Sequence, residues 1–71
     1  MARQRPLSPS AQKTLEAVKA NPGLAAPDLA ERSGISETLV RRNLAILRVR
    51  KLIQMQESGH IHHWFPAEPE T

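Results

Sequence analysis

The adjacent arginines Arg41 and Arg42, in the segment "RSGISETLVRRNLAIL" at residues 32–47, are the side chains best suited to bind an anion. A guanidinium is always charged and carries five N–H donors, so it binds carboxylates, phosphates or the edge of guanine. The stretch 41–51 holds five bases and no acid: Arg41, Arg42, Arg48, Arg50 and Lys51. A solvated helix face usually interleaves acids with its bases. The run therefore indicates an external polyanion that relieves the repulsion.

Three histidines near the end of the chain, His60, His62 and His63, are candidate metal ligands. Neighbours on a strand point to opposite faces, so only His60 and His62 can share one. Two imidazoles without a third ligand make a poor zinc site. The sequence therefore predicts no metal and no other cofactor. Contact of His60 with phosphate or the minor groove is the favoured alternative.

The composition argues against catalysis and against a membrane span. The chain has 71 residues and no cysteine, and we find neither a phosphate-binding glycine loop nor a pair of inward carboxylates. No small-molecule ligand is evident. No apolar run approaches the roughly 18 residues of a membrane span, and the N-terminus lacks the apolar stretch of a signal peptide. We expect a non-enzymatic, cytoplasmic protein without a membrane partner.

The elements that must position the arginines follow from turn and capping residues. Residues 1–7 are predicted to be a flexible basic arm carrying Arg3 and Arg5, and residues 66–71 a disordered acidic tail. Between them, Ser8-Pro9 starts a helix that runs to about Ala20. Pro27 starts a second helix after a connector at residues 24–26, and Gly34 ends it. Ser36 caps a third helix that runs to about residue 50, which completes a helix-turn-helix.

The third helix divides into two faces when its residues are placed at 100° intervals. One face is expected to pack on the first two helices and holds Leu39, Val40, Asn43, Leu44, Ile46 and Leu47. The opposite face is polar and basic and holds Thr38, Arg41, Arg42, Ala45 and Arg48. The small side chain of Ala45 leaves room for a groove to approach closely.

A β-hairpin is predicted over residues 52–65, and its register has two alternatives. A three-residue loop at 57–59 places Ile53, Met55, Ile61, His63 and Phe65 on one face. A two-residue turn at Ser58-Gly59 places His62 and Trp64 on the face of Ile53 and Met55 instead. We favour the first because it buries more aliphatic surface. In either register the core can take only one of the adjacent rings of Trp64 and Phe65 fully, so the other is a candidate homodimer contact.

The order and spacing of these motifs resemble the winged helix-turn-helix DNA-binding domains of the MarR and ArsR types. The resemblance covers roughly residues 8–65 and is carried by "APDLAERSGIS", "TLVRRNLAILRVRKLI" and "ESGHIHHW". Its motif positions hold Leu29-Ala30, Gly34-Ile35-Ser36, Arg42-Asn43-Leu44 and Leu52-Ile53. Asn43 departs from a usual histidine, and Lys51 stands where a glycine is common. The implied fold is mainly α, a three-helix bundle with a β-hairpin wing.

The resemblance implies a sequence-specific regulator of double-stranded DNA, more often a repressor than an activator, located in the cytoplasm at the nucleoid. The helix at 36–50 would enter the major groove. The expected DNA contacts are Ser36, Glu37, Thr38, Arg41, Arg42, Arg48, His60, Arg3 and Arg5. One recognition helix reads few bases, so a homodimer or a paired site is expected. The alternatives are a winged helix that binds protein and a replication or partition protein of plasmids or phages.

Overall fold

The computed structural model describes residues 6–67, so the predicted contacts Arg3 and Arg5 and the residues from 68 onward lie outside it. Three helices precede an antiparallel hairpin, as the sequence predicts. The helices and strands are α1 (Pro9–Ala20), α2 (Ala26–Ser33), α3 (Glu37–Val49), β1 (Ile53–Ser58) and β2 (Ile61–Pro66). The last strand extends to Pro66, one residue past the predicted domain boundary, and the Ala67 N–H donates to the Leu52 carbonyl.

The ends of α1 and α2 follow from local chemistry. The Ser8 hydroxyl accepts a hydrogen bond from the Ala11 N–H at 3.2 Å, and Pro9 occupies the first turn of α1. Helix α2 begins at Ala26, one residue earlier than predicted, because Pro27 fits the second position of a helix as well as the first. Gly34 closes α2 with a left-handed φ of 73°, a conformation that side-chain-bearing residues rarely adopt.

Helix α3 ends in a tight C-terminal turn that aims the chain into the hairpin. The Leu52 N–H donates to the Leu47 carbonyl and the Lys51 N–H to the Arg48 carbonyl, the two hydrogen bonds of a Schellman motif. Lys51 occupies the left-handed position of this motif with φ of 62°. A lysine there costs about 1 kcal/mol relative to glycine. The chain thus keeps an exposed base at a position that favours glycine.

The core lies where the three helices meet the inner face of the hairpin. Its buried members come from every element: Leu15, Val18, Ala26, Leu29, Val40, Leu44, Leu47, Ile53 and Trp64. The predicted inner face of α3 is confirmed at Val40, Asn43, Leu44 and Leu47. It is wrong at Ile46, which is 38% exposed because it lies at the edge of the buried stripe, beyond the reach of α1 and α2.

A buried polar contact ties α3 to α1. The Asn43 side-chain amide donates to the Thr14 hydroxyl at 3.2 Å, and that hydroxyl donates to the Ser10 carbonyl at 2.9 Å. Both side chains are almost completely buried, and no buried side-chain polar atom among the described residues lacks a partner. The contact fixes the rotation of α3 about its axis and therefore the direction in which its arginines point.

We expect Thr14→Val to reduce the free energy of unfolding by about 1–3 kcal/mol, because it leaves the Asn43 amide buried without an acceptor. The double variant Thr14→Val/Asn43→Leu removes both partners and should recover part of that loss. Urea titration of the wild type, both single variants and the double variant measures the coupling. Strictly additive losses would show that the two side chains do not interact in solution.

The hairpin has neither of the two predicted registers. Met55 pairs with Trp64 and Ser58 with Ile61, so the turn residues are Gly59 and His60. Gly59 takes φ of 64°, which suits glycine at the first central position of a two-residue turn. The favoured three-residue loop is therefore wrong. The inner face still groups Ile53 and Met55 with His62 and Trp64, as in the alternative register. Moving the turn by one residue shifts each cross-strand pair by two residues, and a shift of two leaves every side chain on the same face.

Leu24, in the connector before α2, forms an isolated antiparallel bridge with Trp64 of β2, which was not predicted from the sequence. The Trp64 N–H donates to the Leu24 carbonyl at 3.0 Å, and the Gly23 N–H donates to the Trp64 carbonyl at 2.8 Å. Gly23 takes φ of 91°, a conformation that side-chain-bearing residues rarely adopt, and it lies next to the Phe65 ring. Trp64 is buried and Phe65 is partly buried. The core thus takes the indole ring fully and the phenyl ring only in part, as expected for neighbours on a strand, and the homodimer contact stays a prediction.

Candidate nucleic-acid interface

The outward face of α3 presents the polar and basic side chains that the sequence assigned to it. Ser36 caps the helix by accepting a hydrogen bond from the Leu39 N–H at 3.3 Å. The side chains that lie exposed along this face and at its start are Ser36, Glu37, Thr38, Arg41, Arg42, Ala45 and Arg48. Because the buried contacts of α3 fix its rotation, these residues form one convex surface about three turns long. Its shape and charge suit insertion into a groove of a polyanion.

Arg41 has an acidic partner, Glu37, which lies just outside the acid-free stretch 41–51. Its Nε donates to Glu37 Oε2 at 2.9 Å, and its Nη2 lies 2.8 Å from the same oxygen. The count of acids began at residue 41, whereas helical geometry brings residue 37 next to residue 41. Both side chains are largely exposed, so the pair contributes at most about 0.5 kcal/mol to stability.

Arg42 and Arg48 form no ion pair with any residue between 6 and 67. Arg42 lies at the centre of the outward face, and Arg48 lies two turns after Arg41 on the side that faces the hairpin. Neither charge is compensated from within the described part of the chain. These two guanidinium groups are therefore fully available to an external anion.

The tip of the hairpin lies across an open cleft from α3. The cleft has a volume of about 940 Å³, with Arg41 and Arg48 on the helix side and His60 and His62 on the hairpin side. His60 lies in the turn and is exposed, as predicted for a wing contact. His62 lies 3.8 Å from Glu57 on the paired strand. The two elements thus offer basic or protonatable groups to the same external surface.

His63 and the other histidines do not converge on a metal. The Nδ1 of His63 lies 3.0 Å from the Gly23 carbonyl, where a protonated nitrogen donates a hydrogen bond. Within residues 6–67 no three His, Cys, Asp or Glu side chains come together in a group that could hold a metal ion. None of the helices in that range is long and apolar enough to cross a bilayer.

Exposed aliphatic side chains next to the basic face were not predicted as part of the site. Val49 is 82% exposed and Ile61 is 53% exposed, and both line the cleft between α3 and β2. Ile61 was expected to face inward in the favoured hairpin register. The hairpin register accounts for Ile61, because with Trp64 facing inward the residue three positions earlier faces outward.

A helix-turn-helix with a basic, outward third helix and a β-hairpin wing defines the winged-helix class of DNA-binding domains. A family model described as "Winged helix-turn-helix DNA-binding" matches residues 7–55. The chain belongs to this family, whose members are binding domains rather than enzymes. No curated protein matches the sequence.

Several solved structures share the fold at low sequence identity. A predicted DNA-binding transcriptional regulator from E. coli superposes with a TM-score of 0.78 at 23% identity over 86% of this chain. FabT from Streptococcus pneumoniae, solved in complex with DNA, gives 0.79 at 14% identity over 94% of it. The MarR repressor from Listeria monocytogenes gives 0.75 at 18% over 87%. The chain spans 64%, 49% and 43% of these three proteins, and the likeness establishes the winged-helix fold.

Proposed function

We propose that this protein is a transcription regulator that binds double-stranded DNA at specific sequences. The observation that carries the proposal is the outward face of α3, on which Arg42 and Arg48 have no acidic partner within the described residues and Arg41 has only Glu37. A row of guanidinium groups on a convex helix, two of them without an acidic partner, complements the phosphates and guanine edges of the major groove. The DNA complex of FabT supports this use of the fold.

In the proposed complex α3 enters the major groove with its N-terminal turn deepest, as recognition helices do. Ser36, Glu37 and Thr38 then lie near base edges together with Arg41 and Arg42. Arg48 lies one to two turns further along and contacts phosphate. The hairpin extends toward the adjacent minor groove, where His60 meets the backbone. The DNA backbone that separates the two grooves then passes along the cleft between α3 and the β-hairpin.

The biological role that fits this binding mode is repression, because a small domain that occupies an operator blocks other proteins there. A single recognition helix reads too few bases to locate one site in a genome, so the regulator acts as a homodimer or on paired sites. The proposed DNA-binding role implies a location in the cytoplasm, at the nucleoid. The same DNA-binding surface would also suit a protein of plasmid or phage replication or partition that binds repeated sites.

Protein binding is the second candidate function, and the exposed side chains of Val49 and Ile61 favour it. Apolar side chains next to each other on a surface often mark protein contacts. Here, however, the apolar positions are bordered by Arg41, Arg48 and the wing histidines. A protein partner would have to be acidic as well as apolar, whereas DNA supplies both phosphates and apolar sugar and methyl surfaces.

Binding-site selection from a random duplex library tests the proposal. We expect the wild-type protein to enrich a short motif that contains guanine. Two copies of this motif about 10 base pairs apart would report a dimer on one face of the helix. Enrichment of no motif, together with binding to no duplex at low salt, would favour the protein-contact role.

Substitution of single arginines separates base reading from phosphate contact. Arg41→Ala and Arg42→Ala should each weaken binding to the selected motif by roughly 1–3 kcal/mol, and at least one should relax base preference at a single position. Lys19→Ala, at the exposed end of α1, is the matched control and should leave the motif intact. Unchanged motifs for both arginine variants would exclude direct readout by this pair.

The residues before α1 are proposed to act as a DNA-contacting arm. Arg3 and Arg5 add two positive charges close to the start of the domain. Contact with phosphate or the minor groove would explain why basic residues occur in a segment that has no helical or strand periodicity. Deletion of residues 2–6 should weaken DNA binding without lowering the melting temperature. Equal affinity of the shortened protein would assign the arm no part in binding.

A further inference from the structure

The ion pair between Glu37 and Arg41 is unusual for a surface proposed to bind a polyanion. An acid at the start of the recognition helix repels phosphate and lowers the net charge of the interface. As a stability device it is weak, since both side chains are largely exposed. Its geometry, however, favours one orientation of the Arg41 guanidinium at the end of α3 that is proposed to enter the groove first.

We propose that Glu37 is a positioning residue for specificity, which holds the Arg41 guanidinium so that it reads a guanine. This inference rests on the proposed function and adds to it which arginine reads a base and what orients it. Of the five N–H donors of Arg41, the carboxylate takes the one on Nε and one on Nη2. The outer edge formed by Nη1 and Nη2 keeps two parallel donors.

That free edge has the geometry required for bidentate contact with the O6 and N7 atoms of guanine. Glu37 lies one helical turn before Arg41, so the ion pair draws the guanidinium toward the N-terminus of α3. Recognition helices read base edges with their N-terminal residues. The carboxylate also weakens the attraction of Arg41 for phosphate, which would otherwise compete with the base for the same donors. Arg42, with no acidic partner in residues 6–67, lacks this restraint.

The test compares Glu37→Ala with Glu16→Gln, which removes an exposed carboxylate from α1 and serves as the charge control. Affinities are measured for the selected motif, for the same duplex with its guanine replaced, and for unrelated DNA. Glu37→Ala should bind unrelated DNA more tightly and lose about tenfold in discrimination at the one guanine position. The melting temperature should stay close to that of the wild type, and Glu16→Gln should keep full discrimination.

Action through Arg41 is tested in the Arg41→Lys background, where the charge is retained but bidentate contact is lost. Glu37→Ala should then have no further effect on discrimination at that position. An equal effect with and without Arg41 would mean that Glu37 reads a base itself, and would overturn the inference. So would an equal gain for motif and unrelated DNA in Glu37→Ala, because that is repulsion alone. If the wild type selects no motif, the proposed function fails; if it selects one that Glu37→Ala leaves unchanged, only this inference fails.

Discussion

Trp64→Ala is expected to lower the free energy of unfolding by about 3–5 kcal/mol, the largest stability effect of any single substitution considered for this chain. The indole is 8% exposed and joins the hairpin to the helical core. A domain of this size has a total stability of roughly 5 kcal/mol, so the variant should be partly or wholly unfolded at 25 °C. Urea titration followed by far-ultraviolet circular dichroism measures the loss without relying on indole fluorescence.

Ile61→Ala is the matched control for this prediction, because Ile61 lies on the same strand but is 53% exposed. Its substitution should change the free energy of unfolding by less than about 0.5 kcal/mol. The reverse ranking, with Ile61→Ala severe and Trp64→Ala mild, would support the three-residue loop that places Ile61 inward. The pair of variants therefore decides which face of β2 packs on the core in solution.

The double variant Arg42→Gln/Arg48→Gln is expected to lose roughly 30-fold or more in affinity for duplex DNA at moderate salt. This corresponds to about 1 kcal/mol for each contact that is removed. Neither guanidinium has an ion-pair partner among residues 6–67, so their removal leaves no buried or orphaned acid behind. The melting temperature should therefore stay near the wild-type value. Fluorescence anisotropy with a labelled duplex measures the affinity.

Lys13→Gln/Lys19→Gln changes the net charge by the same amount on the exposed side of α1 and is the control for this variant. A polyanion attracted only by net charge would respond to both double variants alike. A surface on α3 predicts a small effect, less than about threefold, for the lysine variant. Equal losses in the two variants would move the binding site away from the face of α3.

The helices could be predicted because their signals are local. Ser8 with Pro9, Gly34 and Ser36 each fix a backbone conformation through their own chemistry, and the structure uses each of them as predicted. The outward face of α3 followed from its period, since a stripe that is apolar on one side leaves the bases on the other. These features depend on few residues that lie close together in sequence.

The hairpin register and the environment of Arg41 were not predicted, because they depend on contacts between residues that are not neighbours in the sequence. The turn could have been placed at several positions around Gly59. Burial of Trp64, which pairs with Leu24 40 residues earlier, excludes the three-residue loop that would face Trp64 outward. A count of charges along the sequence missed the pairing of Glu37 with Arg41 because a helix places residues four apart side by side. The exposure of Ile46 likewise reflects how far α1 and α2 extend, which no local pattern reports.

The dependence of DNA affinity on salt tests most directly the claim that the basic face of α3 binds DNA. The equilibrium constant of the wild-type protein for its selected duplex is measured between about 50 and 300 mM monovalent salt. With several basic side chains in contact with phosphates, the logarithm of affinity should fall linearly with the logarithm of salt concentration, with a slope magnitude of about 3 or more. An affinity that does not change with salt, or the absence of binding at 50 mM, would contradict the account.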